Sequence, residues 1–292
     1  MADRRSFLGS VAALSATAIA NSTSHAVGEE LPGKTANTRF AVNTEMWFGK
    51  LPFIKRLEAT AALGFSAVEF WPWRGKDLKA VADTCERLQL EIAQFTAWGF
   101  SPGLNNAENH TKFLDEIEAS CEVAKKLKCK MMTVVGGNDI PGVSQEKMHE
   151  VIIEGLKKAA PIAEKHEIML IVEPMNIRVD HKGHCLYGST PTIKIIQAVN
   201  SKYVKINWDL YHMQITEGDL CGHLKDGFSS IGYIQVADHP GRNEPGTGEI
   251  FYPRVLKELK KLGYNGIVGL ECRPKKDEMT AALAVAKADQ WS

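Results

Sequence analysis

Four polar residues sit at the ends of apolar runs, where a chain usually places none. Glu173 lies in IMLIVEP (168–174), Asp209 ends YVKINWD (203–209), Gln235 lies in IGYIQVAD (231–238), and Glu271 lies in GIVGLEC (266–272). Glu69 occupies a comparable place in AVEFW (67–71). Side chains on such runs are partly dehydrated. Carboxylates gathered in one dehydrated place repel and raise one another's pKa. A divalent cation removes that conflict. Counting Gln235 through its amide carbonyl, the set Glu173, Asp209, Gln235 and Glu271 is all oxygen, which favours Mg2+ or Mn2+ over a thiolate-type zinc site. Taken singly, each could equally be a strand-end carboxylate in a salt bridge or a helix cap. Four consecutive strands each supplying one makes coincidence the weaker explanation.

These four residues need a frame that brings strand ends together. From residue 39 onward, short β-rich runs alternate with longer helical ones. The strand-like runs are 39–47, 67–71, 91–98, 130–136, 168–174, 203–209, 231–238 and 266–272. Between them, apolar residues recur at steps of three and four, as in Phe113, Ile117, Cys121, Ala124 and Leu127. Thr190-Pro191 reads as a helix start, Gly64 and Gly263 as positions just past helix ends, and 276–290 as a terminal helix. Alternation of this kind calls for a parallel sheet, and several of the strands are nearly continuous apolar runs, as burial on both faces requires. Eight units in this length predict an α/β (β/α)8 TIM barrel, built as a single domain. An open doubly wound sheet would carry a glycine-rich phosphate turn after its first strand, and TEMWFGK is not one. In a barrel the site lies at the C-terminal strand ends, where all four residues fall.

The loop after the seventh strand, ADHPGRNEPGTGEI (237–250), mixes Asp238, His239, Arg242, Glu244 and Glu249 with three glycines and two prolines. Such a loop is expected to cover a small polar substrate, its backbone shaped by Gly and Pro. Arg242 offers a fork suited to a carboxylate; pairing with Glu244 or Glu249 is the alternative. Those two glutamates would repel a phosphate, so an unphosphorylated substrate is expected. Trp47, Trp71, Trp73, Trp98 and Phe100 cluster at the ends of the first three strands. Trp47 and Trp71 are expected on the pocket wall, Trp73 and Phe100 in packing beneath the loops.

Composition narrows the function classes. The 35 basic residues equal the 35 acidic ones, so the formal charge is zero, and no basic run occurs. A general nucleic-acid binder would carry a basic excess, and none is expected as a partner. No apolar run reaches the roughly 18 residues that span a bilayer, so no stable membrane insertion is expected. The start of the chain, DRRSFLGSVAALSATAIANSTSHA, has a charged head, a mildly apolar stretch and a small-x-small site. Arg4-Arg5-Ser6-Phe7-Leu8 resembles the twin-arginine export signal. Residues 1–26 are therefore expected to be an export signal, 27–38 a flexible lead-in and 39–292 the barrel, with a periplasmic location expected and a cytoplasmic one as the alternative. The six cysteines form no CxxC pair and read mostly as small core residues.

The segments VEPMNIRVDHKGHCL, NWDLYHMQITEGDL, YIQVADHPGRNEPGTGEIFY and GLECRP together resemble the hydroxypyruvate isomerase family, part of the xylose-isomerase-like TIM-barrel group. The resemblance runs from about residue 39 to 274. It implies metal ligands at Glu173, Asp209, Gln235 and Glu271, with Glu173 and Glu271 also the acid/base pair. It implies interconversion of hydroxypyruvate and tartronate semialdehyde through an enediolate, with His212 hydrogen-bonding a substrate oxygen. A small hydroxy-carbonyl compound is thus the expected partner, and a homo-oligomer is left open. The rival within the group is an epimerase or isomerase of a larger unphosphorylated ketose or polyol. The rival from another class is a non-catalytic sugar-binding protein, which would have no need to keep both glutamates.

Overall fold

The computed structural model describes residues 31–291. The expected export segment, 1–26, lies outside the described residues. Eight parallel strands close in sequence order: β1 Phe40–Asn43, β2 Ala67–Phe70, β3 Glu91–Trp98, β4 Met131–Val135, β5 Met169–Glu173, β6 Val204–Asp209, β7 Ile231–Val236 and β8 Val268–Leu270. Closure comes where β1 pairs with β8, Phe40 opposite Val268 and Val42 opposite Leu270. The expected (β/α)8 barrel is therefore what the chain forms, and each expected strand is present, β3 at its expected bounds and the others shortened.

The helices are α1 Phe53–Ala62, α2 Leu78–Leu88, α3 His110–Lys126, α4 Gln145–His166, α5 Ser189–Val199, α6 Leu210–Thr216, α7 Leu220–Gly227, α8 Tyr252–Leu262 and α9 Glu278–Ala288. Local chemistry sets several boundaries. Asp77 and Ser144 cap α2 and α4 by accepting from the backbone N–H of Ala80 and Lys147. Gly263 ends α8 at φ 98°, a left-handed position that suits a residue without Cβ. The Thr190-Pro191 start is displaced: α5 begins at Ser189 after Gly188, and the Thr190 hydroxyl makes no cap. The helical segment expected between the sixth and seventh strands is divided into α6 and α7; α6 is only 7 residues long, too short to show a helical period. The six cysteines are free, and all but Cys221 are buried. No helix among the described residues is long and apolar enough to cross a membrane.

Alternation along the strands sorts side chains between two cores. One face packs under the helices, with Val42, Val68, Phe70, Val172 and Leu270. The other fills the barrel, where Ala41, Ala67, Ala93, Ile171, Tyr233 and Ile267 form an apolar layer. Two residues further along, the same period of two brings Asn43, Glu69, Glu173 and Gln235 to the next layer. The barrel is thus apolar at one end and polar toward the other.

The lead-in is not loose throughout. Near the start of β1, the N–H groups of Asn37 and Thr38 donate to the buried Asp289 carboxylate at 2.6 and 2.9 Å. Asp289 follows α9 directly, so both ends of the barrel chain are tied together.

The loop after β7 is organised by its first acidic residue. Asp238 is fully buried. Its Oδ1 accepts from the N–H of His239 and of Ile250, both at 3.0 Å, and its Oδ2 accepts from Gly246 N–H at 2.9 Å. Gly248 is required beside it, because a Cβ there would meet His239 O at 2.2 Å. A hydrogen bond to a charged group is worth about 1.5–3 kcal/mol. Asp238→Asn should therefore speed hydrogen exchange at the Gly246 and Ile250 amides by about ten- to a hundredfold, measured by NMR, while amides in β4 and β5 keep their protection.

Candidate active site

A cavity of about 640 Å3 opens at the C-terminal ends of the strands. Glu173, His212, Gln235, Arg242, Glu271 and Trp71 line it. Asp209, the last residue of β6, is fully buried beside it. Glu173, Asp209, His212 and Glu271 each offer an atom within 4.8 Å of those of the others. The structure thus brings the three expected carboxylates to one point.

Each is held by its element. Asp209 caps α6: its Oδ1 accepts from Tyr211 N–H at 2.9 Å, and its Oδ2 lies 3.4 Å from the Arg242 guanidinium. The helix-cap reading is therefore true of one oxygen, and the other faces the cluster. Glu271 accepts from Trp71 Nε1 at 2.9 Å on one oxygen and from Arg242 at 2.6 Å on the other. Arg242 lies at φ 53°, a backbone region that costs a non-glycine residue about 1–3 kcal/mol. Its pairing with two buried carboxylates offsets that cost, and its guanidinium also lies over the Tyr211 ring at 5.0 Å. Pairing of Arg242 with Glu244 or Glu249 does not occur.

Burial raises Glu173 well above the usual carboxylate range, helped by the charges of Glu271 and Asp209. Burial likewise pushes Asp209 up to about 7, against the pull of Arg242 and with the push of Glu271. Burial works against the charge on Arg242, yet Glu271, Asp209 and Glu173 hold it on and raise its pKa. Such a group is the site's internal counter-charge.

His212 is fully buried, and burial together with Arg242 drives its pKa well below the ordinary imidazole value. It is therefore neutral, and its tautomer follows from Asn176. The Asn176 Oδ1 accepts from the N–H groups of Val179 and Asp180 at 2.9 and 3.2 Å. That leaves its Nδ2 to donate, to Asp180 Oδ2 at 2.9 Å and to His212 Nδ1 at 2.7 Å. With the Asn176 amide so turned, His212 Nδ1 accepts, which puts the proton on Nε2; that nitrogen faces Asp209 at 3.5 Å and Glu173 at 3.7 Å, with the Arg242 guanidinium 3.4 Å away. The ring thus presents a donor, not a lone pair, to the carboxylates.

Gln235 donates its Nε2 to Glu69 at 2.9 Å, and its Oε1 accepts from Asn207 at 2.6 Å. One lone pair of that oxygen remains for another partner.

Several expectations are corrected. Trp47 is fully buried against Phe65, with ring centroids 5.9 Å apart, and is not on the cavity wall. Met46 lines the cavity in its place, because the turn after β1 carries the wall one residue earlier. Phe100, expected in packing, lines the cavity and stacks on His181 at 4.9 Å. Trp73 does pack away from the site, donating to Ser120. Glu244 accepts from Lys275 N–H, and Glu249 from Gln214. Neither lines the cavity, so neither can repel a phosphate there. Asn176 escaped the sequence reading: a lone Asn after a strand carries no signal until its partner is placed beside it.

Xylose isomerase-like TIM barrel is the family description that matches residues 57–289. The hydroxypyruvate isomerase of Escherichia coli (strain K12) is 34% identical over 244 residues, covering 81% of this chain and 94% of that one. A 2-oxo-tetronate isomerase of Cupriavidus necator is 31% identical over 247 residues, covering 81% and 93%. Among solved structures, an AP endonuclease, family 2, from Brucella melitensis superposes with a TM-score of 0.79 at 27% identity, over 84% of this chain and 96% of that one. An L-ribulose 3-epimerase, at 18% identity and a TM-score of 0.71 over 86% and 92%, shares the fold. The chain therefore belongs to the xylose isomerase-like TIM-barrel family and, within it, to the hydroxypyruvate isomerase family of isomerases.

Proposed function

We propose that this protein is a divalent-cation-dependent isomerase of small hydroxy-keto acids, interconverting hydroxypyruvate and tartronate semialdehyde. The observation that carries this is the convergence of Glu173, Asp209 and Glu271 with a neutral, Nε2-protonated His212 in one buried space. The donor chemistry fits a cation. Three dehydrated carboxylates face a single guanidinium, and Gln235 adds a carbonyl oxygen with a free lone pair. Glu173, Asp209, Gln235 and Glu271 would hold Mg2+ or Mn2+. When bound, such an ion supplies positive charge to the two adjacent oxygens of the substrate.

The proton chemistry belongs to the chain. One of Glu173 and Glu271 takes a proton from the hydroxymethyl carbon of hydroxypyruvate, leaving an enediolate across that carbon and the former ketone carbon. A proton is then delivered to the former ketone carbon, and the proton given up by the hydroxyl on the terminal carbon passes to the former ketone oxygen, so that the terminal carbon becomes an aldehyde and the former ketone a hydroxyl. Protons balance, and the product is the isomer. Desolvated carboxylates are stronger bases than exposed ones, which suits Glu173. β5 and β8 are three apart around the ring, so the two glutamates approach the substrate from different sides. His212 Nε2–H donates to a substrate oxygen as charge develops there. Two guanidinium groups line the cavity, those of Arg242 and Arg273, and either offers a fork suited to the substrate carboxylate.

A second reading rests on size. A cavity of about 640 Å3 falls in the range that holds drug-sized ligands, well beyond a three-carbon acid. It favours a longer hydroxy-keto acid or a ketose with the same chemistry. The two readings separate by incubating Mn2+-loaded protein in D2O with hydroxypyruvate beside four- to six-carbon substrates and following deuterium uptake by NMR. Uptake into hydroxypyruvate supports the first, and uptake only into a longer substrate supports the second. In either case Glu173→Gln and Glu271→Gln should each lower kcat by about 10²–10⁴-fold, and unchanged turnover in either would remove the proton-transfer assignment.

Acidity gives an independent check. Because Asp209 rises to about 7 and Glu173 is raised well above the usual carboxylate range, the folded ion-free protein binds protons that the unfolded chain releases. Their contribution to stability is full below about pH 4, where the unfolded carboxylates are also protonated, and is lost as pH rises through about 7. A cation must displace those protons, so its affinity rises over the same window. The gain in Tm from a fixed Mn2+ concentration should be small at about pH 5 and grow to about pH 7.5. A gain independent of pH would mean that the ion does not meet these carboxylates.

The tautomer of His212 is testable as well. Asn176→Asp keeps an acceptor for the two backbone N–H groups but removes the donor to His212 Nδ1. The proton should move to Nδ1, visible in the imidazole 15N shifts, and kcat should fall at least about tenfold. An unshifted 15N spectrum would show that Asn176 does not set the tautomer.

A further inference from the structure

Beneath the cavity floor lies a carboxylate that the proposed chemistry does not use. Glu69, on β2, is fully buried and pairs with no cation. Four side chains donate to it. Asn43 Nδ2 and Gln235 Nε2 reach Oε1 at 3.0 and 2.9 Å. Gln94 Nε2 and Tyr233 OH reach Oε2 at 3.2 and 2.8 Å. A carboxylate has about four lone-pair sites, and here all are taken, by residues from β1 and β3 on either side of β2 and from β7 across the barrel. The space is reserved on the backbone too. Gly269, on β8, could carry no side chain, since a Cβ would meet Glu69 Oε2 at 2.3 Å and Tyr233 OH at 2.9 Å.

The amides that donate to Glu69 have no freedom left. Gln94 Oε1 accepts from the Thr133 hydroxyl at 2.8 Å, and Gln235 Oε1 accepts from Asn207 Nδ2 at 2.6 Å. Turning the Gln235 amide over would set its oxygen against a carboxylate oxygen of Glu69, a repulsive contact in a place where unpaired polar groups are costly. Asn207, whose Oδ1 has no hydrogen-bond partner, could turn along with it, so Glu69 is what holds the orientation. An isolated amide has no such preference, and only its oxygen can bind a hard cation.

We propose that Glu69 is a positioning residue that locks the Gln235 amide, committing its NH2 to the barrel interior so that the oxygen is what remains for the cation. This rests on the reading of Gln235 as a cation ligand given above. Glu69 itself touches neither substrate nor ion. Its role is to remove the flip ambiguity that distinguishes an amide ligand from a carboxylate one.

Mn2+ titration of the full chain by calorimetry, with near-UV circular dichroism as the check on folding, tests this with three proteins. Glu69→Gln loses the anion that demands four donors, so Gln235 is free to turn. Mn2+ affinity should fall about 10–100-fold. In the double variant Glu69→Gln with Gln235→Glu, the ligand shows oxygen whichever way it turns and accepts from the new amide at 69. Affinity should return to within about tenfold of the wild type. A single variant that binds Mn2+ as the wild type does overturns the proposal. So does a weakened single variant that the double variant fails to rescue, because a merely structural role would not be repaired by changing the ligand's chemistry. If the single variant does not fold, the double variant decides alone: binding within about tenfold supports the proposal, weaker binding overturns it. Wild-type protein that does not bind Mn2+ overturns the ligand reading and the proposal with it, a result separate from all the others.

Discussion

Mutual repulsion among buried carboxylates is the constraint on which this site turns. Glu173, Asp209 and Glu271 crowd into one dehydrated space, and Glu69 lies beneath them, its pKa raised to about 7 chiefly by burial and by the charge of Glu271. The strands answer with neutral donors, Asn43, Gln94, Tyr233 and Gln235, and these go to Glu69. Relief comes from outside the sheet. The loop after β7 turns through a left-handed residue to lay Arg242 across Glu271 and Asp209. The acidic residues of the loop serve its backbone instead. Asp238 and Glu244 accept from N–H groups that hold the loop's shape. The five ionisable residues of that loop therefore divide into one that faces the cavity and others that make its delivery possible.

The barrel supplies the second half of the arrangement, through its two-residue period. Tyr233 and Gln235 on one strand, and Ile171 and Glu173 on another, step from an apolar layer into a polar one without any irregularity. Register shifts occur between Val68 and Glu69, between Thr96 and Trp98 and between Ile206 and Asn207, the first and last of them beside residues of the polar layer. This layering lets a carboxylate be fully buried and still be reached by donors from opposite sides of the barrel.

Much of this was legible in the sequence. Strand number and order followed from alternating patterns, because a parallel barrel buries both faces of each strand and writes that burial as apolar runs. The convergence of Glu173, Asp209 and Glu271 followed once the fold placed strand C-termini together. What escaped has a common physical cause. Trp47 and Met46 are neighbours in one turn, and which of them meets the cavity depends on a dihedral angle that no periodicity encodes. Asn176 acts through His212, 36 residues away, and Glu69 acts through Gln235, 166 residues away. Composition and spacing reveal which side chains can do chemistry. They do not reveal the donor that decides how an imidazole or an amide is turned.

Charge arithmetic explains why the ion at such a site should be divalent. Four carboxylates, Glu69, Glu173, Asp209 and Glu271, stand near one guanidinium, and His212 is neutral. Fully ionised, the group carries three uncompensated negative charges. A monovalent cation would leave two, and an anionic substrate would add another, a costly sum in a dehydrated space. A divalent cation leaves one, or two with the substrate bound, and a single proton held among the carboxylates cancels one of these. Holding one movable proton is also what an isomerase needs, because its chemistry consists of taking a proton from one carbon and returning one to the next. The raised pKa values are thus consistent with the proposed reaction on electrostatic grounds alone: the same crowding that calls for a cation leaves room for the proton.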